Sequence, residues 1–306
     1  MNILAFDTGG TSVKYGLIDE TGYVSRHGSF KTPDTLDVYY KGLMNVYDNY
    51  RQEVDDIDGI ALSMPGAVDS DEGVIYGSSA LDYIHGPNIK KELEEMTGLR
   101  VELENDANCA ALAEVWKGEA EHTKDSCFVV CGTGIGGAVV KNRAIHKGIH
   151  LHGGEFGYMI MDMDCTTGKA RTWSHAGSTV ATVKAVADEL GVDMRELDGK
   201  KIFDEADIDP VYKKHVDAFY SYLAMGVYNI QYAYDPEVIV IGGGISSRDD
   251  LVERVYEKLD VLMKSIPEAK IRPLIKKCHF VNDANLMGAV FHYLHKEEPY
   301  LMEKES

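Results

Sequence analysis

The chain is poor in cysteine, in basic side chains and in long apolar runs, and each shortage closes off a class of protein. Its five cysteines, Cys109, Cys127, Cys131, Cys165 and Cys278, are an odd, scattered set among 306 residues with no Cys-x-x-Cys pair. They offer neither a disulfide framework nor a zinc finger and fit a reducing cytoplasm. Lys and Arg number 31 against 50 Asp and Glu, a formal net charge of −19, so nucleic acid is not expected as a primary partner. No apolar run has membrane-spanning length, and Met1-Asn2 leads straight into an apolar strand without the charged segment, apolar core and cleavage site of a signal peptide. A cytoplasmic protein with no membrane partner is expected. The 44% hydrophobic and 26% charged residues are those of a globular chain. Its length exceeds the usual single-domain size, which predicts two domains with a ligand cleft between them.

What is present begins at Ile3–Ile18, two apolar strands joined through Asp7-Thr8-Gly9-Gly10-Thr11. Glycines admit a ligand close to the backbone, and flanking threonines add hydroxyl donors, so the turn suits phosphate oxygens. The Walker spacing is missing, and a strand rather than a helix follows. On its own the segment reads equally as a phosphate hairpin or as an ordinary β-hairpin turn.

A third strand is predicted from Gly22–Val24 to Ser29–Phe30 and a helix over 35–54. A strand over 59–64 is stopped by Pro65-Gly66, a helix covers 90–97, a short strand 101–104, and Asn105-Asp-Ala-Asn108 leads into a helix running to about Trp116. The second half restarts the scheme: Cys127–Val140 is again strand, Gly/Thr turn, strand. A long helix over 211–234 precedes a buried parallel-type strand ending at Gly242-Gly243-Gly244, and a helix over 248–265 follows. Asn-Asp-Ala-Asn occurs twice, at 105–108 and 282–285, each time between strand and helix, where either aspartate can serve as an N-cap. The charged tail after Leu294 is expected to fray.

Two Gly/Thr hairpins and a third glycine cluster resemble the actin-like ATPase (ribonuclease H-like) fold, an α/β architecture of two domains with mixed sheets and helices and an active site in the cleft. In order, "FDTGGTSVKYGLID", "PGAVD", "ENDANCAALAE", "CGTGIGGAVV", "HKGIHLHGGEFGYM" and "VIVIGGGIS" resemble the ROK family of bacterial sugar kinases over nearly the whole chain. The resemblance implies an ATP- and Mg²⁺-dependent sugar kinase and suggests a homodimer. Its domains are expected at 1–117 and 118–290, with 291–306 packing back toward the first. Asp7, Gly9, Gly10 and Thr11 would serve the transferred phosphate, Thr133, Gly134 and Gly136 the other phosphates, and Gly243 and Gly244 the nucleoside. Gly66, Asn105 and Glu155 would bind the sugar, with Asp106 as catalytic base. Lys14 also matches the pattern but is left outside the catalytic set, and Asp283 is taken as structural.

The chain also departs from that family. Where many members hold zinc with a histidine and three cysteines, it has Tyr158, placed here among the substrate-binding residues, and only Cys165, so no structural zinc is expected. A glutamate that touches the sugar near its anomeric end is replaced by Ser174. That loss leaves room for a glycoside, and the zinc-free wording resembles β-glucoside kinases acting on the 6-hydroxyl of the non-reducing glucose, as in cellobiose. The alternatives are a glucokinase, fructokinase or N-acetylmannosamine kinase. A sugar-sensing ROK regulator is disfavoured because those carry a helix-turn-helix before the first hairpin, which here begins at residue 3.

Overall fold

The structure, a computed structural model, describes residues 1–53, 56–280 and 283–296. It divides into two compact units: Met1–His122, Asn142–Gly153 and the segment from 283 form the first, and Thr123–Lys141 with 154–280 the second.

In the first unit β1 (Asn2–Thr8) buries Ile3, Leu4, Ala5 and Phe6 in succession, as a strand covered on both faces does. It continues through the glycine turn into antiparallel β2 (Ser12–Asp19), which pairs with β3 (Val24–Lys31). Helix α1 (Leu36–Glu53) buries Tyr39, Tyr40, Leu43, Val46 and Tyr47, the apolar stripe its spacing predicts; Val54, expected as its last residue, lies outside the described residues. Next come β4 (Gly59–Met64), a small antiparallel pair β5 (Ala67–Asp69) and β6 (Val74–Tyr76), and α2 (Ile89–Thr97). Asn88 caps α2 by accepting from the Lys91 N–H, and Gly98 ends it at φ 70°. Then follow β7 (Arg100–Asn105) and α3 (Asp106–Lys117). The sheet order is β3-β2-β1-β4-β7, with β1, β4 and β7 parallel.

In the second unit β8 (Ser126–Cys131) turns into antiparallel β9 (Ile135–Lys141). The chain then re-enters the first unit over 142–153, including the two-residue strand β10 (Ala144–Ile145). Back in the second unit are the antiparallel pair β11 (Ile160–Asp164) and β12 (Lys169–Thr172), and helices α4 (Trp173–Gly177), α5 (Thr179–Leu190) and α6 (Gly199–Asp204). Asp209 caps α7 (Pro210–Tyr234) through the Val211 and Tyr212 N–H groups, with proline in the first turn, where no donor is lost. After α7 come β13 (Val238–Gly242), α8 (Leu251–Lys264) and β14 (Ile275–Lys277). Within this unit the strand order is β9-β8-β13-β14, with β8, β13 and β14 parallel. Trp173, Phe203, Phe219, Tyr220 and Leu223 fill its core.

Helix α9 (Ala284–His295) returns to the first unit and buries Leu286, Met287, Val290, Phe291 and Tyr293. Its approach to α3 is so close that a Cβ at Gly288 would stand 1.7 Å from the Cys109 carbonyl oxygen, so only glycine fits. The division therefore differs from the sequence expectation. The first boundary falls after His122 rather than residue 117, and 142–153 and 283–290 lie with the first unit rather than the second. Contacts within that unit explain the difference: buried Arg143 donates to the carbonyls of Val115, at 2.7 Å, and Glu121, while α9 packs on α3. The tail expected to fray lies, from residue 297 on, outside the described residues.

Candidate active site

The parallel strands of the first unit end together, the place where open α/β sheets carry their ligands. Register pairs Asp7 with Ser63 and Met64 with Asn105, which brings the Asp7–Thr11 turn, Gly66, Asn105 and Asp106 to one end of the sheet. Ser63 Oγ at 2.8 Å and Asn285 Nδ2 at 3.0 Å both donate to Asp7 Oδ1. The turn is held by Gly9 N–H to the Ser12 carbonyl at 3.1 Å and by Thr32 Oγ1 to the Gly9 carbonyl at 2.6 Å. Gly10 and Thr11 are exposed, as is Lys14, opposite Asp7 on β2.

The N-cap of α3 is Asn105, not an aspartate. Its backbone is still extended, at φ −62° and ψ 146°, and its side-chain oxygen accepts from the Ala107 and Asn108 N–H groups at 3.0 and 3.2 Å. Strand β7 runs one residue further than expected, and the cap falls on its last residue. The same carboxamide donates through Nδ2 to the Gly66 carbonyl at 3.0 Å, so Asn105 ties the Gly66 loop to the helix start. Asp106 is then the first helical residue, with Oδ1 accepting from the Ala107 N–H at 2.8 Å. A helix N-terminus favours the ionised carboxylate. In the second copy Asp283 stands at the N-cap position of α9, but its side chain makes no capping bond.

The second unit repeats the arrangement. Thr133 and Gly134 lie in the turn between β8 and β9, Gly136 is the second residue of β9, and Gly243 and Gly244 directly follow β13. Gly243 packs on the Cys131 backbone, so the two glycine clusters are neighbours. Thr179, at the start of α5, donates through Oγ1 to the Gly132 carbonyl at 2.7 Å. A cavity of about 850 Å³ opens beside them, walled by Thr179, Val183, Leu197, Phe203, Ile245 and Arg248, a size and apolar character suited to a small ligand. Arg248 is fixed by Asp250 at 2.9 Å and Asp204 at 2.7 Å, which hold its pKa above the usual guanidinium range. At Gly132, Gly136 and Gly244 nothing lies within 4 Å of where a side chain would begin, so backbone faces open space at all three.

Glu155 and Tyr158 fall in the second unit, both exposed on a short 3₁₀ turn, Phe156–Tyr158, that packs on β9 through the Phe156 ring. They are not brought together with Gly66, Asn105 and Asp106 within one unit. Three neighbours, Ser63, Asn285 and Thr179, are not singled out by the sequence. Ser63 and Asn285 orient Asp7, and Thr179 holds the second turn. Ser174 Oγ accepts from the Ile135 N–H at 3.0 Å and lies 3.3 Å from the Ile135 carbonyl, so it braces the hairpin. Only the second Asn-Asp-Ala-Asn could have pointed to Asn285.

Two α/β units, each with glycine turns at the carboxyl ends of parallel strands, define the actin-like ATPase class of fold. The ROK family profile matches residues 3–296, and the chain belongs to the ROK family. It is similar to the β-glucoside kinase of Listeria innocua, with 33% identity over 302 residues covering 97% of this chain and 99% of that protein. To the β-glucoside kinase of Klebsiella pneumoniae the identity is 32% over 295 residues, covering 96% of each. The crystal structure of a ROK family protein from Streptococcus pneumoniae in complex with sucrose matches with a TM-score of 0.88 and 36% identity, covering 97% of this chain and 99% of that one.

Proposed function

We propose that the chain is an ATP-dependent sugar kinase that phosphorylates the 6-hydroxyl of a glucosyl unit, with a β-glucoside such as cellobiose as acceptor and Asp106 as base. The observation that carries this is the pinned Asn105, bonded to Gly66 on one side and to the start of α3 on the other, which fixes the backbone from which Asp106 projects. The glycoside acceptor rests on the near full-length likeness to proteins named β-glucoside kinase.

Phosphoryl transfer demands alignment and charge compensation more than covalent help. Gly9, Gly10 and Thr11 would face the transferred phosphate, Thr133, Gly134 and Gly136 the remaining ones, and Gly243, Gly244 and the apolar cavity the nucleoside. The open backbone faces at Gly136 and Gly244 fit that use. Asp7, its Oδ1 already fixed by Ser63 and Asn285, would hold the Mg²⁺ that offsets phosphate charge. Asn105 keeps one Nδ2 hydrogen to donate and Glu155 accepts, a pair suited to adjacent sugar hydroxyls, with Gly66 and Tyr158 beside the sugar. As a weak base toward an alcohol, Asp106 orients the hydroxyl and takes its proton late in the transfer.

ADP release is to be measured with cellobiose, gentiobiose, glucose and N-acetylmannosamine. The highest kcat/KM is expected on a disaccharide; strong preference for a free hexose would replace the glycoside acceptor with a monosaccharide. Asp106→Asn should lower kcat by about 10²–10⁴-fold and Asp283→Asn should not; the reverse pattern would move the base to Asp283. The working form would be a zinc-free cytoplasmic homodimer, and a single-chain mass by light scattering would remove the dimer. No described helix is long and apolar enough to cross a membrane.

A further inference from the structure

We propose that Lys147, acting through Glu104, is the positioning residue that keeps the acceptor half-site in register; this rests on the kinase function proposed above. Glu104 precedes Asn105 on β7 and is wholly buried. Its Oε1 accepts from the Asn105 N–H at 2.7 Å and from Asn108 Nδ2 at 3.0 Å, so one carboxylate oxygen grips the chain on both sides of Asp106. Its Oε2 lies 2.7 Å from Lys147 Nζ.

The same ammonium donates to Ser70 Oγ at 2.6 Å and to the Val68 carbonyl at 3.2 Å, in the segment that follows Gly66. Lys147 therefore joins the two chain segments of the half-site, the one that follows Gly66 and the one that leads into Asn105-Asp106. Its own loop is closed by the Gly153 N–H on the Lys147 carbonyl at 2.7 Å, two residues before Glu155.

The surrounding charges leave this role to Lys147. Buried Glu102 is matched separately by Lys90, Arg100 and Lys296. His292 Nδ1 stands at 3.8 Å from Glu104, and burial lowers its pKa, which favours the neutral ring. A buried ion pair is commonly matched in stability by apolar residues of equal volume, but no apolar pair supplies these directed bonds. A cavity of about 430 Å³ borders the pair, so the space left by a shortened side chain would fill with water rather than close.

The test compares Lys147→Met, Lys147→Arg and Ser70→Ala with the wild type, measuring kcat, KM for sugar and for ATP, and ADP affinity. Lys147→Met should lower kcat per folded enzyme by about 10- to 100-fold, as misplacement of a reacting group does. KM for ATP and ADP affinity should stay within about twofold. Lys147→Arg, which keeps the charge, should recover a large part of the rate. A purely structural role would lower the melting temperature and the yield of folded enzyme while leaving kcat intact; that result, or a wild-type rate in Lys147→Met, overturns the proposal. Should Lys147→Met not fold, Ser70→Ala removes one anchor without stranding a charge, and a wild-type kcat there overturns the proposal equally. If wild-type protein shows no sugar-dependent ADP release, the kinase function itself fails. An active wild type, inactive Asp106→Asn and fully active Lys147→Met together would sink the Lys147 role alone.

Discussion

Adding one methyl group at either of two adjacent glycines should have opposite consequences. At Gly243 the backbone has φ 85°, and a Cβ would lie 2.3 Å from the Cys131 carbonyl oxygen, 2.8 Å from its carbon and 2.9 Å from its nitrogen. With ψ at −173° as well, the position lies in a region that is essentially glycine-only, where alanine costs about 1–3 kcal/mol, and forcing strand ends apart adds about 1–2 kcal/mol. Gly243→Ala should therefore lose roughly 2–5 kcal/mol, a fall in Tm of about 4 °C or more for a unit of this size. At Gly244 nothing lies within 4 Å, so Gly244→Ala should melt within about 0.5 kcal/mol of wild type. Its methyl, however, projects into the space assigned to the nucleotide, and ADP affinity by calorimetry should fall about tenfold or more, the cost of a modest steric shift on the 1.4 kcal/mol scale. Wild-type ADP affinity in Gly244→Ala would show that this face is not the ligand's surface. A wild-type melting temperature in Gly243→Ala would refute the packing account.

Two further outcomes follow from the polar contacts. Ser174→Ala removes the acceptor for the Ile135 N–H and should cost about 1–3 kcal/mol, with weakened ADP binding and unchanged sugar binding; thermal melts and calorimetry check both. Burial pushes the Glu104 carboxyl up, but the Lys147 ammonium and the Asn108 amide outweigh it and hold the pKa below its ordinary value. Glu102 is likewise held down by Lys90 and Lys296 against its burial. Because these folded-state values are depressed, the stability they confer is complete above the unfolded carboxylate pKa of about 4.3 and is lost as pH falls through the lower folded values. Melts from pH 7 to pH 3 should decline most steeply below about pH 4, and Glu104→Gln should flatten that decline; an equal slope in both proteins would exclude Glu104 as a source.

Local patterns made much of this legible in advance. The two glycine hairpins, the long helix read over 211–234 and the glycine triplet at the end of β13 each carry their signal locally and form where the spacing places them, α7 starting one residue earlier, at Pro210. The unit boundaries were less readable, because what draws 142–153 into the first unit is Arg143 on Val115 and Lys147 on Glu104. Such pairs span dozens of residues and leave no periodicity. The cap of α3 depended on where β7 stops, and one residue moved it from an aspartate to Asn105. Ser174 shows the limit of family comparison: as a missing glutamate it signified room, whereas in the fold its hydroxyl braces the Ile135 backbone. Glu104 sits inside a quoted motif, yet its burial and its hold on both flanks of Asp106 emerge only in three dimensions.

The position of α9 sets an order of events during synthesis. The strands of the first unit leave the ribosome before Leu286, Met287, Val290 and Phe291, which cover α3 and the sheet, have been made. By then the second unit has all its described residues while the first still lacks this cover, the opposite of the usual order in which the leading domain is completed first. A chain ending prematurely before residue 283 would hold a sound second unit and a first unit lacking its cover, open to proteolysis and aggregation.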